Sequence, residues 1–168
     1  LTSEQRRADT KRPLYTTAER QRRDASRWTL VQGVLAPLQF AVFLVSVVLV
    51  LRYLGTGEGL HAASASVVVK TLVLYTIMVT GALWEKDVFG RYLFAAPFFW
   101  EDAVSMLVIA LHTAYLAALF TGAPGPHEQM LIALAAYAAY VVNAAQFVLK
   151  LRAARRQHAL QHAPALGA

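Results

Sequence analysis

The chain has 168 residues, 57% of them hydrophobic and only 15% charged, and its 16 Lys and Arg against 10 Asp and Glu leave a formal net charge of +6. Charges crowded into a few segments between long apolar stretches exclude an ordinary soluble domain, whose elements would each carry a polar face. The lack of cysteine excludes disulfides, thiolate catalysis and cysteine-ligated zinc or iron–sulfur clusters.

Ahead of the first apolar run, Thr16-Thr17-Ala18-Glu19 has the form of a helix capping box. Arg20, Arg22, Arg23 and Arg27 would lay a short basic helix on the membrane surface as a topology anchor. The first apolar run covers residues 28–54 and is broken by Gly33, Pro37 and two glutamines. It is too long for a cleavable signal and follows too long a basic segment, so it is expected to direct insertion itself. The second run, 61–84, contains Lys70, expected to snorkel outward or to pair locally. The third spans 101–120. The turn from Thr121 to Pro126 cannot continue a helix, and the fourth run covers 130–151. Each run approaches or exceeds the roughly 18 to 20 apolar residues that cross a bilayer. Short connections make neighbours antiparallel. The predicted fold is all-α: one integral membrane four-helix up-down-up-down bundle over 28–151, a basic N-terminal segment (1–27) with a short interfacial helix, and a basic then flexible tail (152–168).

Basic residues set the orientation. Lys11, Arg12, Arg20, Arg22, Arg23 and Arg27, then Lys86 and Arg91, then Lys150, Arg152, Arg155 and Arg156 all fall on one side. The other side has Arg52, with Glu58, His61, His127 and Glu128. Both termini and the loop around Lys86 are therefore expected in the cytoplasm. This placement, with attraction to anionic headgroups, accounts for the net charge, so the expected partner is the bilayer and not nucleic acid.

Chemistry is expected where two acidic tryptophan motifs, Trp84-Glu85 and Trp100-Glu101-Asp102, close the ends of one aromatic loop. A carboxyl desolvated by lipid and aromatic rings can act as an acid near neutral pH. At about 100° per residue, Glu101, Ser105 and His112 share a stripe of the third span; Tyr140, Asn143, Phe147 and Lys150 share one on the fourth, with Gln146 at its margin; Gln32, Gln39 and Phe43 share one on the first. Such stripes face a bundle interior. Gln32, Glu85, Glu101, Asp102, Asn143 and Gln146 fall in the cytoplasmic half, with Gln39 and His112 nearer the middle, predicting a polar pocket that opens inward. Two readings stay open for its members. The amides either line a site or simply join helices, and His112 is either a satisfied structural residue, a magnesium tetrapyrrole ligand or a proton relay. The loop packs Phe89, Tyr92, Phe94, Phe98, Phe99 and Trp100 into twelve positions bent by Gly90 and Pro97. They form an interfacial belt or a stacking surface for a flat ligand. Phosphate-cradling, serine-elbow and paired-histidine metal motifs do not occur.

Four strings carry a resemblance: RDASRWTLVQGVLAPLQF from Arg23, WEKDVFGRYLF from Trp84, FFWED from Phe98 and YVVNAAQF from Tyr140. Over about Pro13 to Arg156 the chain resembles the 3-vinyl bacteriochlorophyllide hydratase family of bacteriochlorophyll biosynthesis. The resemblance implies hydration of the C3-vinyl group of a chlorophyllide to a 1-hydroxyethyl group, with no cofactor; the magnesium belongs to the tetrapyrrole substrate. It also implies a bacterial inner (intracytoplasmic) membrane protein. Four spans make a thin pocket for so large a ring, which points to a homo-oligomer or to association with other pigment-biosynthesis or photosynthetic proteins.

Such a hydration needs an acid beside the vinyl group and a cradle for one water. The expected donor is Glu101, with Asp102 or Glu85 orienting water. Arg91 or Lys86 would pair with the substrate carboxylate, and His112 or a water would hold the magnesium. Tyr92, Phe98 and Trp100 would cover the ring, with Gln32, Gln39, Asn143 and Gln146 lining the pocket. The alternative is a non-catalytic pigment-binding or assembly subunit, for which the small-residue ridge Ala110, Ala114, Ala118 is suited. A small transporter fits less well, because the spans show no internal repeat.

Overall fold

The computed structural model describes residues 14–162, with side chains to Arg156. Lys11 and Arg12 of the orientation argument, Pro13, and the last six residues of the tail lie outside the described residues. Helix α1 (Thr17–Ala25) starts at the expected capping box: the Glu19 N–H donates to the Thr16 hydroxyl, and the Thr16 N–H donates to the Glu19 carboxylate at 2.7 Å. Ser26 ends α1, and its hydroxyl accepts from the Trp28 N–H to open α2 (Arg27–Thr56), which runs on through Pro37. α3 (Leu60–Phe89) stops at Gly90, whose φ of 81° lies in the left-handed region that glycine adopts without strain. α4 (Phe99–Thr121) precedes the Gly-Pro turn. α5 (Pro126–His162) opens on a proline, whose missing N–H is not needed in a first turn.

α2 to α5 are all long and apolar enough to cross a membrane. They run past the limits read from hydropathy, because backbone hydrogen bonding continues through the polar ends of each span. α5 in particular carries Arg152, Arg155 and Arg156 on added turns, where cations complement a helix C-terminal half.

α2 packs along α3, and α4 along α5, giving two antiparallel hairpins that meet chiefly through α2 and α5. The bundle buries polar side chains, among them Lys70, Thr71, Ser105, His112 and Asn143, and turns large apolar ones outward. Leu30, Val45, Val79 and Phe120 are exposed, as a hydrocarbon solvent allows. Hydrogen bonds join the helices within: Gln32 Nε2 donates to Thr80 Oγ1 at 2.7 Å and to the Ile77 carbonyl, Trp84 Nε1 donates to Thr29 Oγ1 at 2.9 Å, Asn143 Nδ2 donates to Ser105 Oγ at 2.8 Å, and Tyr137 bonds Ser46. Where lipid offers no hydrophobic drive between helices, such bonds and close packing must supply it.

A second, smaller core holds α1 against the end of α3. Tyr15 is buried, stacked on Phe89 at 5.9 Å and capped by the Arg23 guanidinium 5.0 Å above its ring. Burial pushes the Tyr15 phenol from 10.0 up to about 12, with Arg23 opposing the shift. The raised value means this docking is fully present below pH 10 and is lost as pH rises toward 12. The difference between absorbance titrations of the unaltered protein and of Tyr15→Phe should therefore show one tyrosine that ionises toward pH 12 and not near 10, and Tyr15→Phe should lose the associated alkaline weakening of α1.

Candidate active site

The loop between α3 and α4 brings two carboxyls together. Glu85 sits in the last turns of α3 and Asp102 in the first turn of α4, and the loop that joins them folds back over both. The Phe94 N–H donates to Asp102 Oδ2 at 2.7 Å, and the Ala95 N–H donates to Glu85 Oε2 at 3.2 Å. Phe94 has a φ of 57°, a left-handed conformation that costs a bulky residue energy. That turn lets two successive amides point at two different carboxyls. Glu85 and Asp102 are both buried, at 5% and 3% exposure, and interact directly with each other. Among the described residues neither has an ion-pair partner.

Glu101 has a different environment. It is buried and forms an ion pair with Lys150 of α5, whose ammonium also donates to the Pro97 carbonyl and lies 5.0 Å from the centre of the Phe98 ring. Lys150 thus fastens the loop to the fourth span. Both residues fall on interior stripes in the sequence reading, which leaves Lys150 without a partner.

Phe98 is the hub of the aromatic shell beneath the carboxyls, with Trp84, Phe89 and Phe147 at centroid distances of 5.7, 5.8 and 6.0 Å. Of the three side chains expected to cover a ring, only Phe98 turns inward. Tyr92 and Trp100 are 57% and 72% exposed, as belt residues would be. Trp100 immediately precedes Glu101, and a step of about 100° carries it off the packed face. Arg91 is exposed and donates to the Phe94 carbonyl, and Lys86 reaches the Gly90 carbonyl and the Tyr92 ring, so both brace the loop.

The remaining polar residues do not converge on this loop. Gln32 is bonded to α3. Asn143 is bonded to Ser105 through Nδ2, with its oxygen unpaired, and Gln39 and Gln146 also hold unpaired buried oxygens. His112 lies ten residues beyond Asp102 on α4, a rise of about 15 Å. Its Nδ1–H donates to the Val108 carbonyl at 2.8 Å, leaving a buried Nε2 without a partner. The Tyr137 ring lies against it, centroids 5.9 Å apart, and the buried Tyr115 follows one turn along α4. The expected outward snorkelling of Lys70 does not occur: the side chain is fully buried, with Nζ 3.7 Å from the centre of the Tyr140 ring. The reason is its face of α3, shared with Val67, Thr71 and Leu74, all of which pack inward. Lys70 and Tyr115 belong to this second polar level, which spacing on single helices did not assemble.

Comparison with known proteins points one way. The profile of the 2-vinyl bacteriochlorophyllide hydratase family matches residues 15–153. The 2-vinyl bacteriochlorophyllide hydratase of Rhodobacter capsulatus is 65% identical over 156 residues, covering 93% of this chain and 91% of that protein. That of Cereibacter sphaeroides is 70% identical over 145 residues, 86% of this chain and 89% of the relative. No solved structure matches.

Removing one partner of a buried ion pair costs about 3 kcal/mol or more, because the other charge is stranded. Lys150→Met should therefore lower unfolding stability in detergent by about that amount, while the double variant Lys150→Met, Glu101→Leu recovers most of it in a double-mutant cycle. Strictly additive losses would show that the pair is not coupled.

Proposed function

The chain belongs to the 2-vinyl bacteriochlorophyllide hydratase family, and from that premise we propose that it adds water to the vinyl group of a chlorophyllide-type magnesium tetrapyrrole by carboxyl general acid catalysis at Glu85 and Asp102. Position 2 in the family's name is the C3-vinyl group of current macrocycle numbering. The enzyme is a hydro-lyase of bacteriochlorophyll biosynthesis, and its product carries a 1-hydroxyethyl group.

One observation carries the assignment of the acid: two buried carboxyls face each other, each held by one backbone amide. Facing carboxyls can hold one transferable proton between them. The proton passes to the terminal vinyl carbon, and the cation that forms at the inner carbon is delocalised into the macrocycle. Water adds its oxygen to that inner carbon and returns a proton to the pair, so the carboxyls end as they began and no electrons are exchanged. Glu101 is the less suitable donor, because Lys150 already engages it. Its role is to fix the loop through Lys150. Phe98 and the rings packed on it back this end of the bundle and keep water and other nucleophiles from that side.

This pose leaves His112 out of contact. His112 stands about 15 Å of helix rise beyond Asp102, farther than the reach from a tetrapyrrole's centre to a substituent at its edge, so it is not assigned to the substrate magnesium. The loop and both termini face the cytoplasm, as the basic residues beside the spans favour.

General acid catalysis contributes about 10²- to 10⁴-fold. Glu85→Gln and Asp102→Asn should each lower kcat by a factor in that range, with pigment binding and the fold retained. The assay is incorporation of ¹⁸O from labelled water into chlorophyllide a by membranes that hold only this protein. Near-normal turnover in both variants would remove the pair from the mechanism, and pigment that binds unchanged to the unaltered protein would favour a non-catalytic binder. Reporter fusions after Gly57 and Gly122 should report the periplasm and one after Gly90 the cytoplasm; the reverse pattern would overturn the orientation.

A further inference from the structure

A cavity of about 570 Å³ lies between α1 and the C-terminal turns of α5, within the size range of small-molecule sites. Arg20, Arg23, Arg155 and the carboxylate-bearing Asp24 line it, with Tyr15 and Leu151 among its apolar members. Arg23 is committed, paired with Asp24 at 2.7 Å and stacked on Tyr15. Among the described residues Arg20 and Arg155 have no carboxylate partner. An oxyanion on an apolar body is the chemistry such a cavity takes.

The cavity lies one aromatic layer from the carboxyl pair. Tyr15, which lines it, stacks on Phe89 and adjoins Phe98. Thr29, also in its wall, accepts the hydrogen bond of Trp84, the residue before Glu85. Leu151 follows Lys150, which holds Glu101. Lys86 and Arg91, the cations expected from sequence to meet the substrate, are spent on loop carbonyls.

We propose that this cavity receives the carboxylate-bearing side chain of the substrate, with Arg20 and Arg155 as its anion site, so that the enzyme selects free-acid tetrapyrroles over their esters. The inference rests on the hydratase reading and names how that substrate is held. The guanidinium fork matches a carboxylate through two charge-assisted hydrogen bonds, and an ester forfeits the charge. A phospholipid phosphate offers the same oxyanion chemistry at the same depth, so the test must separate the two sources.

The protein in nanodiscs of phosphatidylcholine alone, or with phosphatidylglycerol, is given chlorophyllide a or its methyl ester, and both pigment binding and hydration are followed. The free acid should bind and turn over with a KM at least about ten-fold below that of the ester, with similar kcat, in phosphatidylcholine alone. Arg20→Gln, Arg155→Gln should raise the acid's Kd and KM to the ester's level, and Arg20→Lys, Arg155→Lys should restore part of the preference. Equal affinity for acid and ester in the unaltered protein overturns the proposal. So does arginine-dependent binding of phosphatidylglycerol without any acid preference, which would assign the cavity to lipid. If neither pigment is hydrated, the hydratase reading fails, while the acid-over-ester binding ratio still decides this one.

Discussion

The closeness of the buried Glu85 and Asp102 carboxyls is the constraint around which the loop end of the bundle is organised. Two carboxyls do not stay together in a water-poor site unless something holds them. Here the holding is done by the loop backbone, which spends the left-handed turn at Phe94 to aim two amides at two acids. The helices contribute as well. Asp102 sits in the first turn of α4, where exposed N–H groups favour negative charge. The ion pair of Glu101 with Lys150, the aromatic hub at Phe98 and the bracing of Arg91 and Lys86 all prevent the loop from relaxing.

The membrane explains why polar groups do so much of this work. Outside the bundle, apolar side chains meet apolar solvent and gain nothing from facing inward. Inside, Gln32, Trp84, Asn143 and Tyr137 join helices by bonds that lipid could not supply. The middle level is less fully paired. Lys70 rests on the Tyr140 ring, and the Nε2 of His112 and the hydroxyl of Tyr115 have no partner. It is separated by several helical turns from the carboxyls, so the bundle interior holds two polar regions instead of one pocket.

The interfacial layer links the chemistry to the surface. α1 is anchored by the Tyr15 ring, and that ring is shared between the cavity at the arginines and the aromatic shell below the carboxyls. A tetrapyrrole acid divides in the same way, with a charged edge suited to the water side and an apolar body suited to the rings.

The sequence by itself determined the class, the four long apolar helices and the capping box at Thr16, because these depend on local hydropathy and backbone preferences; it read Gly90 as a bend in the loop, and the structure made it the stop of α3. It also identified the loop that carries the acids and, through the strings around that loop, the family. Only the tertiary structure decided which polar residues meet. A stripe says that Glu101 and Lys150 face inward, but not that they face each other; the packing of α4 along α5 set that pairing, and the packing of α5 against α3 laid Lys70 on the Tyr140 ring instead of letting it snorkel. The difference is physical: helix formation and bilayer insertion are governed by residues close in the chain, whereas ion pairs, cavities and shared carboxyl sites depend on how far one helix slides and turns against another.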